Sequence, residues 1–376
     1  MERQDYRMSQ RLNVFYEKKP CYDIVYESSF EKLPEELAKL GSGEKKLCIV
    51  TDSNVGALYA EEVQKVVSTV CRVCEIFTFP AGEANKTLDT VKEIYRFLIE
   101  HQFDRKDMLL ALGGGVTGDI TGYAAATYLR GIAYVQLPTT LLSQADSSIG
   151  GKTGVDFDGY KNMVGSFKMP SLVYMNLSVL NTLEERQFFS GFAEVMKSAL
   201  IRDGIFYEWL LDKMYEICEK QPDVLEEMMV RSCSIKKMIV EKDPTEKGER
   251  ALLNLGHTIG HAIEKYKNFE LYHGECVALG CVAAAYISWK KNYLCMEEYY
   301  EIRDMFVPFY LPISIDEIEP EKILALTKSD KKMENGRIKF VLLKKIGKAV
   351  IDNTVTDEEI LEAVKEIHFS EEDAHA

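Results

Sequence analysis

No apolar run in this chain is long enough to cross a membrane. The most apolar stretch, Cys276 to Trp289, covers about fourteen residues and contains Gly280, whereas a span needs ~20. The amino terminus, MERQDYRMSQRLNVFYEKKP, also lacks the apolar segment of a signal sequence. Cysteines number nine, an odd count, scattered and without a secretory context. They read as reduced thiols in a cytoplasmic protein. Cys71 and Cys74 form a CxxC with no second pair, within the β-like run VCRVCEIFTF. Buried small hydrophobes account for them better than a metal or redox site. Basic residues are outnumbered 46 to 60, for a formal charge of −14. That field repels nucleic acid and anionic membranes and excludes both as partners. Any anionic ligand must meet a local cluster of cations. Internal repeats and low-complexity segments are absent.

What is there is globular. At 376 residues, 46% hydrophobic and 28% charged, the chain suits two domains. Lys46–Thr51, Cys74–Phe79, Met108–Leu112, Ala133–Leu137 and Leu172–Met175 read as strands, with helices at Ala60–Val70 and Thr87–Glu100. Strands that are apolar throughout, alternating with helices, imply a parallel sheet covered on both faces. After about Leu180 the pattern turns helical: Glu184–Leu200, Ile205–Glu219, Val224–Val240, Leu252–Lys265 and Glu275–Lys290, with one late hairpin from Ile338–Leu343 to Ala349–Asp352. The expected architecture is an α/β Rossmann-like domain over residues 1–180 and a mainly α-helical domain over 181–376, the boundary falling near Val179–Glu184.

Three segments carry chemistry. Gly113, Gly115 and Gly118 satisfy GxGxxG after a strand and before an apparent helix from Asp119. Backbone N–H groups there can approach a pyrophosphate at a helix N-terminus. The acidic ribose partner expected about twenty residues on is missing, the next acid being Asp146. Asp52 and Asn54, at the end of the first predicted strand, could serve a nucleotide instead. Plain tight turns also use such glycines.

The second segment is rich in histidine. Of six histidines, His257, His261 and His273 fall within seventeen residues. On one helix, Arg250, Asn254, His257, His261 and Glu264 share a stripe about 80° wide. A polar stripe is ordinarily a solvated face, but the apolar remainder implies a buried helix whose stripe lines an internal site. Two imidazoles and a carboxylate leave a coordination position open, as in a catalytic zinc site. Spacing does not decide which histidines bind. Glu194 and Lys197, one turn apart in GFAEVMKSAL, are candidates for a ligand and a charged neighbour, or form a surface ion pair. The third segment, Pro138–Phe167, reads as a long loop rich in Gly, Ser and Thr that holds Asp146, Lys152, Lys161 and Asn162. Glycines beside lysines suit a phosphate site, and a connection this long is usually functional.

Taken together, GGGVTGDITGYAAATYLRG, PTTLLSQADSSIGGKTGVDFDGYKNMVGSF, SGFAEVMK, RALLNLGHTIGHAIE, HGE and DKK resemble the 3-dehydroquinate synthases among the sugar-phosphate cyclases. These motifs run in family order from about residue 46 to residue 352. The resemblance implies NAD, one divalent metal (zinc or cobalt), a homodimer, a small sugar-phosphate substrate and a fold shared with glycerol-dehydrogenase-like enzymes. It implies Glu194, His257 and His273 as metal ligands, leaving His261 for the substrate phosphate beside Lys152, Asn162 and Asn254. Lys236 and Arg250 match a carboxylate clamp, and Arg130 matches a residue that reaches the neighbouring subunit's site. Asp146, Lys197 and Glu246 match residues around the reacting hydroxyls. NAD would lie against Asp52, Asn54, Glu83, Lys86, Gly114, Gly115, Val116, Asp119, Thr139, Thr140, Lys161 and Thr182. Lys331 or Lys332 would meet phosphate. The linker KDPTEKGER departs from the usual acidic version, at Lys236 and Glu246's end of the match.

The implied reaction converts 3-deoxy-D-arabino-heptulosonate 7-phosphate to 3-dehydroquinate and phosphate, by transient oxidation, elimination, re-reduction and intramolecular aldol closure, in the shikimate pathway of aromatic amino acid synthesis. A polyol dehydrogenase would release NADH and has no need of so many substrate-side cations. A catalytically dead regulatory relative would have lost metal ligands. Sister cyclases would act on sugar phosphates that lack a carboxylate.

Overall fold

The computed structural model describes residues 11–328, 333–334, 337–338 and 339–369; Lys331 and Lys332 lie outside the described residues. The chain divides into two compact units. One comprises the residues up to Leu183 together with Leu225–Thr245, and the other Glu184–Val224 with the chain from Glu246 onward.

The first unit is built on nine strands: β1 (Arg11–Tyr16), β2 (Lys19–Glu27), β3 (Lys46–Asp52), β4 (Val73–Phe79), β5 (Met108–Gly113), β6 (Ala133–Pro138), β7 (Lys152–Phe157), β8 (Tyr160–Phe167) and β9 (Leu172–Asn176). Seven form one sheet in the order β1-β2-β9-β6-β5-β3-β4. All neighbours are parallel except β1 against β2. Both faces are covered, as the unbroken apolar strands require. Leu47, Ile49, Leu110 and Leu112 enter one core, and Cys48, Val50 and Leu109 enter the other. Every such side chain withdrawn from water contributes ~1.5–3 kcal/mol before the entropic cost of ordering it. The β1–β2 hairpin was not read from the sequence. Its second strand pairs in parallel with β9, a partner about 150 residues away.

Two sequence expectations change here. Pro138–Phe167 is not a loop: after a helical turn through Ser143–Ser147 it forms the antiparallel hairpin β7–β8. Gly154 and Gly165 face each other across it, so the glycines belong to a ladder and not to a linker. The helix after the glycine loop starts at Gly115, four residues before Asp119, and runs to Thr127. Gly118 therefore lies inside the helix, against Gln136 of β6.

The helix Pro222–Lys242 is seated on the first unit from Leu225 onward. Its Glu241 accepts the N–H of Phe15 at 2.8 Å, and its Cys233 thiol points at the Gln144 carbonyl at 3.6 Å.

The second unit is mainly helical. Phe188 to Ile201 of the helix Glu185–Arg202 are buried without a break, and the helix His273–Lys290 is buried from Gly274 to Ala285. The predicted helix Ile205–Glu219 is two, Gly204–Asp212 and Met214–Cys218. The late hairpin pairs Phe340–Lys345 with Lys348–Asp352. No described helix is long and apolar enough to cross a membrane.

A larger correction concerns Leu252–Lys265. A 3-10 segment, Glu249–Asn254, ends at Leu255, and the α-helix begins afresh at His257 and runs to Tyr266. Gly256 breaks the run with φ of 77°, a left-handed conformation that glycine adopts at no steric cost. A Cβ there would also lie 2.7 Å from the Val277 carbonyl oxygen. The single stripe from Arg250 to Glu264 therefore does not exist as one helical face. Arg250 and Asn254 belong to the tighter turn, and His257, His261 and Glu264 to the helix.

The nine cysteines are all free. Cys71 and Cys74 are half-buried, and burial pushes the Cys74 thiol up to about 12. A thiol so reluctant to ionise is a poor metal ligand or nucleophile.

Candidate functional site

In the first unit the strand order reverses between β3 and β5, which is where open α/β sheets bind ligands beyond the carboxyl ends of their strands. Asp52 closes β3 and caps the next turn, accepting from Asn54 N at 2.9 Å and Val55 N at 3.0 Å. Its second oxygen accepts from Thr117 Oγ1 at 3.2 Å, which ties it to the helix that follows the glycine loop. Gly114 caps that helix, and the first N–H groups, from Gly115, Val116 and Thr117, have no acceptor within it. Thr139 N donates to Gly113 O at 3.0 Å. A Cβ on Gly114 would stand 3.1 Å from Thr140, and one on Gly115 would stand 3.2 Å from Ser147. A bare backbone keeps this space open without asking Thr140 or Ser147 to give way, as suits a pyrophosphate cradle.

Lys86 links three more of the expected residues. Its buried ammonium lies 2.7 Å from Asp119 and 3.9 Å from Glu83, and donates to Asn162 Oδ1 at 2.7 Å. Burial alone would lower this lysine, but Asp119 and Glu83 hold it above its ordinary value. Asn162, at φ of 54°, also donates its N–H to Asp156 at 2.8 Å. On the same hairpin Lys152 is exposed and Lys161 half-buried. Lys236 is buried and donates to both the carboxylate and the carbonyl of Asp146. Thr182 is exposed, its hydroxyl 2.5 Å from that of Tyr59. Arg130 is exposed at φ of 69°, after Leu129 at φ of 50°.

The second unit brings the expected metal ligands together. Glu194 and Lys197, both 2% exposed, form an ion pair inside the helix Glu185–Arg202, so the surface-pair reading does not hold. Oε1 of Glu194 lies 3.6 Å from Nε2 of His257 and 3.4 Å from Nε2 of His273. Donors around a tetrahedral ion with bonds of about 2.0–2.1 Å stand about 3.3 Å apart, so the set fits such an ion. His257 donates Nδ1–H to the Leu255 carbonyl at 3.0 Å, so the neutral ring presents the Nε2 lone pair on the Glu194 side, as a metal ligand does. Burial alone would lower His273, but Glu194, with Glu264 behind it, outweighs burial and raises it. That surplus of negative charge favours a cation. His261, Glu264 and His273 make a second cluster with ligand atoms within 4.8 Å of one another. The two clusters share His273. Arg250 is 2% exposed, and Asn254 Nδ2 donates to Glu246 at 2.8 Å.

Three residues with a role in this geometry were not singled out from the sequence: Arg186, Ser190 and Glu275. The first two precede Glu194 at four-residue spacing, and the third closes the HGE motif.

Residues 76–333 match two adjoining family descriptions, 3-dehydroquinate synthase N-terminal over residues 76–190 and 3-dehydroquinate synthase C-terminal over residues 191–333. The chain belongs to the 3-dehydroquinate synthase family. A 3-dehydroquinate synthase of Acetivibrio thermocellus is 45% identical over 356 residues, 94% of this chain and 98% of that one. Among solved structures of the family's fold, a 2-epi-5-epi-valiolone synthase from Streptomyces hygroscopicus subsp. jinggangensis with NAD+ and Zn2+ bound is 28% identical. It superposes with a TM-score of 0.85 over 95% of this chain and 99% of that one. A 2-deoxy-scyllo-inosose synthase complexed with carbaglucose-6-phosphate, NAD+ and Co2+ is 25% identical, with a TM-score of 0.84 over the same shares.

Proposed function

We propose that this chain catalyses the 3-dehydroquinate synthase reaction, taking 3-deoxy-D-arabino-heptulosonate 7-phosphate to 3-dehydroquinate and phosphate. The observation that carries the reading is the cluster of Glu194, His257 and His273, with Arg250 buried in the same unit shortly before His257 in the chain. When bound, NAD would accept a hydride from a secondary alcohol and later return it, and the divalent ion, zinc or cobalt, would acidify that alcohol as a Lewis acid.

The chain's own residues do the holding. Glu194, His257 and His273 would hold the ion, and Lys197 places a fixed positive charge beside Glu194, where it would stabilise developing negative charge. In the second unit His261 and Asn254 would take the substrate phosphate, and in the first unit Lys152 and Asn162 suit the same chemistry. Arg250 offers the substrate carboxylate a planar fork, and Lys236 adds a second charge. Asp146 and Glu246, which orient Lys236 and Asn254 here, sit at the reacting hydroxyls. Gly114, Gly115 and Val116 would receive the nucleotide's phosphates at the helix start, and Asp52, Asn54, Glu83, Lys86, Asp119, Thr139, Thr140, Lys161 and Thr182 would hold the rest of it. Arg130 acts in the neighbouring subunit of a homodimer, and the enzyme works in the cytoplasm.

A product assay tests this. Purified protein with NAD and a divalent ion should release phosphate and a carbocycle from the heptulosonate phosphate, with no net NADH over many turnovers. Stoichiometric NADH would mark a dehydrogenase. Turnover of glucose 6-phosphate in place of the heptulosonate would mark a cyclase for neutral sugars.

A further inference from the structure

Three residues of the helix Glu185–Arg202 meet the first turn of the helix His273–Lys290 along a single stripe. Arg186, Ser190 and Glu194 recur at four-residue spacing and so share a face. Their partners run in the opposite order. Arg186 donates from Nε and a terminal nitrogen to the two oxygens of Glu275, at 2.6 and 2.8 Å. Ser190 Oγ accepts the N–H of Gly274 at 3.0 Å. Glu194 Oε1 lies 3.4 Å from Nε2 of His273.

We propose that Arg186 and Glu275 are positioning residues that hold His273 in register with Glu194 and thereby set the affinity of the metal site. The inference rests on the reading of Glu194, His257 and His273 as metal ligands. Each rung of the ladder is one residue from the next, so a shift at the Arg186 end carries through to the ligand. Gly274 makes the contact close: a Cβ there would stand 1.8 Å from the Ser190 carbonyl oxygen. Glu275 also accepts the N–H of Tyr272 at 2.7 Å, and the Arg186 guanidinium lies over the Tyr272 ring at 4.4 Å. Tyr272, just before His273, and Glu275, two residues after it, are thus tied together by one bidentate pair. His273 itself is the first residue of its helix, where backbone order is weakest. The Arg186 side chain is 48% exposed, and an ion pair so open to water adds little to folding. Its effect falls on ligand geometry, as it does for other groups that orient metal ligands from behind.

The test is zinc affinity of the full chain, by competition with a chromophoric chelator, for wild type, Glu194→Ala, Arg186→Ala, Arg186→Lys, Glu275→Gln and the double variant Arg186→Ala with Glu275→Gln. Melting temperature and the visible spectrum of the cobalt-loaded protein accompany it. Arg186→Ala and Glu275→Gln should each weaken zinc by about 10- to 100-fold and shift the cobalt bands. The double variant should add less than about threefold to the worse single one, because the two act as a unit. Arg186→Lys, which keeps the charge and loses the fork, should fall between. A pair that merely stabilises the fold would lower the melting temperature while zinc stayed within about threefold of wild type and the cobalt spectrum did not move; that result overturns the proposal. If Arg186→Ala does not fold, Arg186→Lys decides alone, and wild-type zinc affinity in it overturns the proposal equally. Retention of zinc by Glu194→Ala would instead reject the metal site itself.

Discussion

Nε2 of His257 lies 3.6 Å from Oε1 of Glu194, while Nδ1 of the same ring meets the Leu255 carbonyl at 3.0 Å. The Leu255 carbonyl is available because the chain leaves its 3-10 turn there and restarts as a helix beyond Gly256. A continuous helix through Leu252–Lys265 would have tied that carbonyl to an N–H four residues on.

The metal assignment has a direct check, because two clusters share His273. Wild type is expected to carry about one divalent ion per chain. His273→Ala should lose most of it while remaining folded. His261→Ala should keep the ion and bind the phosphorylated substrate poorly. Metal content by elemental analysis separates the cases: loss of the ion in His261→Ala would move the site to His261, Glu264 and His273.

Arg250 offers a test of the proposed substrate. Its guanidinium is buried in the second unit, and a planar fork suits a carboxylate in a way a lysine cannot copy. Removing one charge-assisted pair at a desolvated site should cost ~2–4 kcal/mol of transition-state binding, or roughly 30- to 1,000-fold in kcat/KM. Arg250→Ala should therefore cripple turnover of the heptulosonate phosphate and leave NAD affinity nearly unchanged. Activity within about threefold of wild type would point to a substrate without a carboxylate.

Asp352 closes the late hairpin and gives stability a dependence on acid. Burial alone would raise its carboxyl, but hydrogen bonds from Thr354 and Tyr293, with the charge of Lys291, outweigh burial and hold it below the ordinary carboxylate range. A lowered folded value means that its stabilisation is present above about pH 4 and is lost as pH falls through that value. Asp352→Asn should cost about 1–2 kcal/mol at neutral pH and flatten the acid limb of a stability profile taken by denaturant titration. An unchanged limb would show that this carboxylate does not contribute.

Much of this protein is legible in short windows of sequence. The runs at β3, β5 and β6 are apolar on both faces, so only a sheet covered on both sides satisfies them. The helix His273–Lys290 is apolar nearly all round, so it must lie inside. The residue types around His257 were readable for the same reason: imidazoles and a carboxylate amid an apolar majority suit a metal ion. Partnership was not readable. The β1–β2 hairpin finds its parallel partner in β9, and the helix from Leu225 joins the first unit through Phe15 and Gln144. Periodicity is a local quantity, and it carries no information about which distant backbone a strand edge or helix face will meet.

Left to itself, then, the sequence determined the types of the central parallel strands and of the long buried helices, the donor chemistry around His257 and the glycine-lined helix start. The tertiary structure decided which nitrogen of His257 faces Glu194, that Lys197 is buried beside that carboxylate, and that Arg186 reaches Glu275 one residue beyond Gly274. These depend on approaches of a few ångströms between segments tens of residues apart. Such approaches are set by close packing, where a missing Cβ at Gly256 or Gly274 decides how near two backbones can come.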